Sequence, residues 1–138
     1  MLATQPPPTP RGIRWVGADA EALPLPDNSV DVVFSNLRIH WCRDPACVLA
    51  ECRRVLRPGG RLLVSTLLEG TLDELREAWR RADPVHQHVN RIESEARVRE
   101  QAYEALPAPQ LAIETISLDY PSPLALLAEL KAIGAGYK

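Results

Sequence analysis

The side chains that could do chemistry fall in three stretches. Asp19 lies in Gly17-Ala18-Asp19-Ala20-Glu21-Ala22-Leu23-Pro24. Its carboxylate either turns a loop ahead of Leu-Pro or, beside the Ala20 N–H, forms an acceptor next to a donor that a ligand could read. Ser35 and Asn36 follow the apolar run Val30 to Phe34, at the carboxyl end of a candidate strand. Open α/β sheets bind ligands there, although Asn36 could equally do no more than end the strand. His86, His88, Asn90 and Arg91 form the third cluster. The two histidines share a face only in an extended chain, and with no third ligand nearby a zinc site is not expected. Arg91 offers a guanidinium fork that suits a carboxylate, or it is simply an exposed lid arginine. Trp41 packs over a cleft or within the core, and His40 beside it reads as a surface or capping residue. The spacing of Cys42, Cys47 and Cys52 matches no common zinc pattern. On a helix Cys52 falls on the apolar stripe with Cys47 beside it, so the thiols read as packing groups. No Ser-His-Asp or Cys-His arrangement is evident.

The elements that must position these groups alternate. Residues 1–12 are proline-rich and read as irregular. Ile13 to Val16 is a short strand candidate. A loop from Ala18 to Asn28 leads to Val30–Phe34, whose near-continuous apolar run fits a buried parallel strand. Asp44 and Pro45 open a helix as N-cap and first helical residue, with Val48, Leu49, Cys52, Val55 and Leu56 as its stripe. That helix stops at Arg57-Pro58-Gly59-Gly60, and Arg61 to Thr66 is the next strand. Thr71-Leu72-Asp73-Glu74 has the form of a capping box, opening a helix with Leu72, Leu75, Trp79 and Ala82 on its apolar face. Glu93 to Leu106 reads as a polar helix, Ile113 to Tyr120 as a strand, and Pro123 to Ile133 as a last helix before Gly134-Ala135-Gly136. Strand, helix, strand, helix is the alternation of an α/β fold with a parallel sheet.

The 138 residues suit one domain, and a net charge of -2 provides no basic field for nucleic acid. No apolar run is long enough for a membrane span, and the N-terminus lacks the marks of a signal peptide. A cytoplasmic location is the default expectation.

Together, the stretch Gly17 to Asn36 and the run Arg54-Val55-Leu56-Arg57-Pro58-Gly59-Gly60 resemble the middle of a class I S-adenosylmethionine (SAM)-dependent methyltransferase. That family has a loop aspartate after its third strand, an apolar fourth strand, and a helix ending in Leu-x-Pro-Gly-Gly. Further stretches narrow the likeness: Ser35-Asn36-Leu37, Trp41, Ser65 to Arg76, Trp79, His88-Val89-Asn90-Arg91 and Leu130 to Ala135. These resemble the malonyl-acyl-carrier-protein O-methyltransferases of biotin synthesis, over about residues 13–135. A mitochondrial complex I assembly factor is similar over the central motifs but lacks the His-x-Asn-Arg match.

The resemblance implies an incomplete Rossmann-like methyltransferase sheet with flanking helices over residues 13–138, preceded by the irregular segment 1–12. It implies SAM as cofactor, with Asp19 accepting from the adenine amino group and the Ala20 N–H meeting a ring nitrogen. Ser35, Asn36 and Trp41 would complete the cofactor side, while His88, Asn90 and Arg91 would face the substrate, Arg91 gripping the malonyl carboxylate. The partner implied is acyl carrier protein bearing a malonyl thioester. Basic residues Arg76, Arg80 and Arg81, with Arg53, Arg54 and Arg57, either steer that acidic partner or form an ordinary solvated face. The family's glycine-rich loop and its ribose-binding acid are not found in the sequence. Met1-Leu2-Ala3-Thr4 looks like the helix after the family's second strand, so the chain is expected to begin inside the domain and to stop before its last strand. Of the four strands it would supply, only the fourth and fifth are neighbours in the family's sheet. The third should therefore lack a partner, and the chain should fold poorly or assemble differently. The alternatives are a methyltransferase-like protein with another substrate, such as a partner protein, and a non-catalytic interaction module.

Overall fold

The computed structural model describes residues 12–86 and 92–133. Its centre is one parallel strand–helix–strand unit: β1 (Val30–Asn36), α1 (Pro45–Val55) and β2 (Leu56–Ser65). Asp44 caps α1 as its sequence pattern requires. One carboxylate oxygen accepts from Ala46 N at 3.0 Å and Cys47 N at 3.4 Å, and Pro45 follows where an N–H would have no partner. The Cys47 thiol donates to the other oxygen at 3.3 Å, and the three bonds hold the Asp44 carboxyl below its ordinary pKa. The stripe of α1 then faces inward: Val48, Leu49, Cys52 and Val55 are buried. Ile39, from a short 3-10 turn at Ile39–Trp41, joins them, and Val33 of β1 and Leu62 of β2 pack against the cluster.

β1 and β2 pair in parallel from Val32↔Arg61 to Asn36↔Ser65, with a register break after Val30↔Leu56. Arg57-Pro58-Gly59-Gly60 fills that break. These residues were expected to stop the helix ahead of a strand at Arg61; instead β2 already begins at Leu56. Leu56 turns extended while its N–H still bonds to Cys52 O, and Gly59 takes the left-handed φ of 79°. At Gly60 an added methyl would lie 2.9 Å from Arg57 O and 3.1 Å from Asp31 O. Cys47 is exposed, so of the three free thiols Cys52 is the buried one.

Three further helices follow, α2 (Asp73–Ala82), α3 (Glu95–Ala105) and α4 (Pro123–Ala132). α3 lies against α1 and buries Gln101 and Ala102; α2 and α4 bury no residue fully. Ser94 and Ser122 cap α3 and α4 by accepting from Arg97 N and Ala125 N.

Four further expectations are corrected. Ile13 to Val16 forms no strand and its large side chains are exposed, since the described sheet has two strands and neither pairs with it. Ile113 to Tyr120 is likewise not a strand, and Ile116 is 73% exposed. β1 is parallel but buried on one face only: Val33 packs against the core, while the opposite face leaves Val32 54% and Phe34 72% exposed. The capping box at Thr71 does not form; Leu72 takes φ 59° and stands as N-cap with no side-chain cap, so the helix starts at Asp73. Residues 1–11, the His88–Arg91 cluster and Gly134-Ala135-Gly136 lie outside the described residues.

Two outcomes are expected. Amide protons of residues 13–16 should exchange at near-coil rates while those of β2 are protected. Gly60→Ala should lower unfolding stability by about 1–3 kcal/mol, because its methyl meets backbone on two sides; an unchanged denaturation midpoint would contradict this close packing.

Candidate functional site

The loop from Ala18 to Ser29 has no regular structure, so its polar groups must be satisfied by neighbours. α1 supplies most of them. Arg54 donates from Nε and one terminal nitrogen to both oxygens of Glu51, each at 2.8 Å. Its remaining donors reach Leu23 O at 3.0 Å, Leu25 O at 2.9 Å and Asp27 Oδ1 at 2.5 Å. Glu51 in turn accepts from Leu23 N at 2.9 Å. The guanidinium, with the Leu23 N–H second, pulls the Glu51 carboxyl from its ordinary 4.5 down to about 2. At the other end of α1, Glu21 accepts from Arg43 N at 2.9 Å and Asp44 N at 3.0 Å, and its second oxygen pairs with the Arg43 guanidinium at 3.2 Å.

These ties bring Ala18–Glu21 against the segment Arg38–Arg43. Between them opens a cleft of about 520 Å³, lined among others by Asp19, Ala20, Arg38, Trp41 and Cys42. Asp19 turns the loop, with Oδ1 accepting from Glu21 N at 3.0 Å and its carbonyl from Ala22 N at 3.1 Å. Its other carboxylate oxygen and the Ala20 N–H have no partner among the described residues. Trp41 is 41% exposed, on the cleft rather than in the core. His40 sits behind it, ring centroids 5.3 Å apart, with Nδ1 buried and without a hydrogen-bond partner. Burial, then the Arg38 charge, lowers the His40 pKa, so the ring is neutral near pH 7. Burial raises that of the Cys42 thiol, against an opposing pull from Arg38.

The remaining expected site residues stand apart from this cleft. Ser35 pairs with Val64 in the sheet, and Asn36 Oδ1 accepts from Ser65 Oγ at 2.5 Å; neither lines the cleft. His88, Asn90 and Arg91 lie outside the described residues. His86 pairs with Asp83 at 3.0 Å. Arg38 and Glu21, which shape the cleft, were not singled out from sequence. Glu51 three residues before Arg54 was the available signal; Glu21 meets Asp44 across a separation of 23 residues and offered none. Most of the basic residues considered for steering are paired: Arg57 with Asp31, Arg76 with Asp73, and Arg80 and Arg81 with Glu77. No helix among the described residues is long and apolar enough to cross a membrane.

Residues 2–64 match a family model described as a methyltransferase domain. The fold is that of part of a SAM-dependent methyltransferase domain. Solved methyltransferases share it: one from Haloferax volcanii in complex with the Trm112 methyltransferase activator (27% identical, 78% of this chain and 46% of that one, TM-score 0.52). A SAM-dependent methyltransferase from Thermotoga maritima is 26% identical over 69% of this chain and 46% of its own, also with TM-score 0.52.

Sequence similarity is closer to one group within that class, the malonyl-acyl-carrier-protein O-methyltransferases. That of Methylococcus capsulatus is 48% identical over 128 residues, 90% of this chain and 45% of the relative. That of Hahella chejuensis is 44% identical over 88% of this chain and 43% of its own. The biotin biosynthesis bifunctional protein BioHC of Cellvibrio japonicus is 41% identical over 91% of this chain and 25% of its own. The chain thus spans less than half the length of these relatives.

The Glu51 carboxyl titrates well below its ordinary value, so its bonds to the loop contribute fully above about pH 4.5 and are lost as pH falls toward about 2. Glu51→Gln should therefore lower the denaturation midpoint near neutral pH. The gap from wild type should stay constant above about pH 4.5 and narrow as pH falls from there toward about 2; a gap independent of pH would show that the clamp is not ionic.

Proposed function

We propose that this chain carries part of a SAM-dependent methyltransferase that esterifies the free carboxylate of malonyl-acyl carrier protein. The observation that carries the reading is the likeness, across about nine-tenths of this chain, to enzymes of that name. The cleft supports it physically. The outer oxygen of Asp19 and the Ala20 N–H form an acceptor beside a donor, the pattern that meets an adenine edge, and the Trp41 indole offers an apolar wall. These residues fit the base end of the adenosyl group. Ser35 and Asn36 are proposed toward its methionine end, and His88, Asn90 and Arg91 toward the substrate, with Arg91 on the malonyl carboxylate.

Asp19, Ala20 and Trp41 would hold the adenosyl donor, which when bound would supply a sulfonium methyl to the carboxylate oxygen, with the neutral thioether as leaving group keeping the carbon–sulfur electron pair. A carboxylate is already ionised at pH 7, so the protein needs no general base. Its own residues hold the reactants in line and keep water away. Glu21 and the Glu51–Arg54 pair fix the loop that presents Asp19, and His40 backs Trp41 as a neutral ring.

The alternative, a non-catalytic interaction module, is favoured by the exposed apolar side chains of the two-stranded sheet, Val32 and Phe34 among them. Calorimetry with S-adenosylhomocysteine separates the two. The chain is expected to bind it, and Asp19→Ala to weaken binding by about tenfold. Absence of binding by the wild-type chain would favour the module, and transfer of labelled methyl from SAM to malonyl-acyl carrier protein would favour the enzyme.

A further inference from the structure

Two guanidinium groups border the cleft, and they differ in what they touch. Arg43 is committed: Glu21 takes both its backbone N–H and its side chain. The Arg38 side chain has no hydrogen bond or ion pair among the described residues. The carboxylates of the cleft leave it unpaired. Glu21 is occupied by Arg43 and the start of α1, and Asp19 spends one oxygen on its own turn.

The Arg38 backbone is nonetheless fixed. Its carbonyl accepts from Trp41 N at 3.1 Å and lies 3.9 Å from the Cys42 thiol, at the head of a turn anchored by buried Ile39. Its charge also reaches inward, opposing protonation of His40 and favouring the Cys42 thiolate. A held backbone with an unspent, planar, five-donor head beside an indole is an anion receptor in waiting.

We propose that Arg38 binds a carboxylate of the ligand that enters the Asp19–Trp41 cleft. The inference rests on the methyltransferase reading, under which two carboxylates are available: the amino-acid end of the adenosyl donor and the free carboxylate of the acyl substrate. Arg38 is thus a binding residue, set against Asp19 so that an acceptor and a cation read different parts of what enters.

The test is calorimetry on the full chain and on Arg38→Met and Arg38→Lys. The probes are S-adenosylhomocysteine, 5′-methylthioadenosine (the same adenosyl group without a carboxylate), malonyl-coenzyme A and acetyl-coenzyme A. If the donor supplies the carboxylate, Arg38→Met loses about tenfold in affinity for S-adenosylhomocysteine and leaves 5′-methylthioadenosine unchanged. If the acyl group supplies it, the loss falls on malonyl- but not acetyl-coenzyme A. Arg38→Lys recovers part of either loss. Equal affinities in wild type and Arg38→Met overturn the proposal, as does an equal loss for ligands with and without the carboxylate, or failure of wild type to bind either carboxylate ligand. The methyltransferase reading fails on a different result, wild-type chain that binds neither adenosyl compound.

Discussion

The bidentate pair between Glu51 and Arg54 is the interaction on which the arrangement of this chain turns. Both residues lie on α1, three apart, and alone would be a minor surface pair. Here the pair preorganises a guanidinium whose spare donors take up the carbonyls of Leu23 and Leu25. The end of α1 completes the attachment, as Asn28 N bonds to Arg54 O at 3.0 Å and Ser29 N to Val55 O at 2.8 Å. A helix leaves its last carbonyls without internal partners, and a loop without regular structure leaves its amides so. Each deficit is met by the other, and the loop is delivered to Val30 in position to start β1.

The N-terminal end of α1 is joined by a second carboxylate. Glu21 reaches amides ahead of the helix that Asp44 caps, so the loop is held at two places along the same helix. The cleft follows from that geometry. Asp19 and Ala20 precede Glu21, while Arg38 to Cys42 precede Arg43, so tying Glu21 to Arg43 sets these two stretches opposite one another.

How much of this was legible in the sequence depended on how local the cause was. β1, α1 and the second half of β2 could be read because apolar runs and an Asp-Pro start act within a few residues, whereas Arg57-Pro58-Gly59-Gly60 fell inside β2 rather than ahead of it. Ile13 to Val16 and Ile113 to Tyr120 have strand-like patterns, but a strand needs a neighbour, and the described sheet gives them none. Thr71 had the spacing of a cap, yet the left-handed turn at Gly70 and Leu72 displaced the helix start. Among the residues that line the cleft, Asp19 and Trp41 stood out in their motif. Arg54 read as one charge on a basic face, because the choice of partner by a long side chain is a tertiary fact.

Charge pairing gives the clearest division between what the fold uses and what it leaves. Glu77 holds both Arg80 and Arg81, and those guanidiniums bring its carboxyl down to about 2. Arg57 and Arg76 have carboxylates of their own. The exposed helices therefore present locally neutralised charge, which provides little field toward an acidic partner. Arg38 does not follow that pattern. It stands next to an aromatic wall, in a cleft that already contains two carboxylates, and pairs with neither. An exposed arginine costs little in water, so stability does not select against it. Nothing in the packing calls for a guanidinium there either, since the turn it begins is held by its backbone and by Ile39. Under the proposal made above, that side chain is left for what enters the cleft.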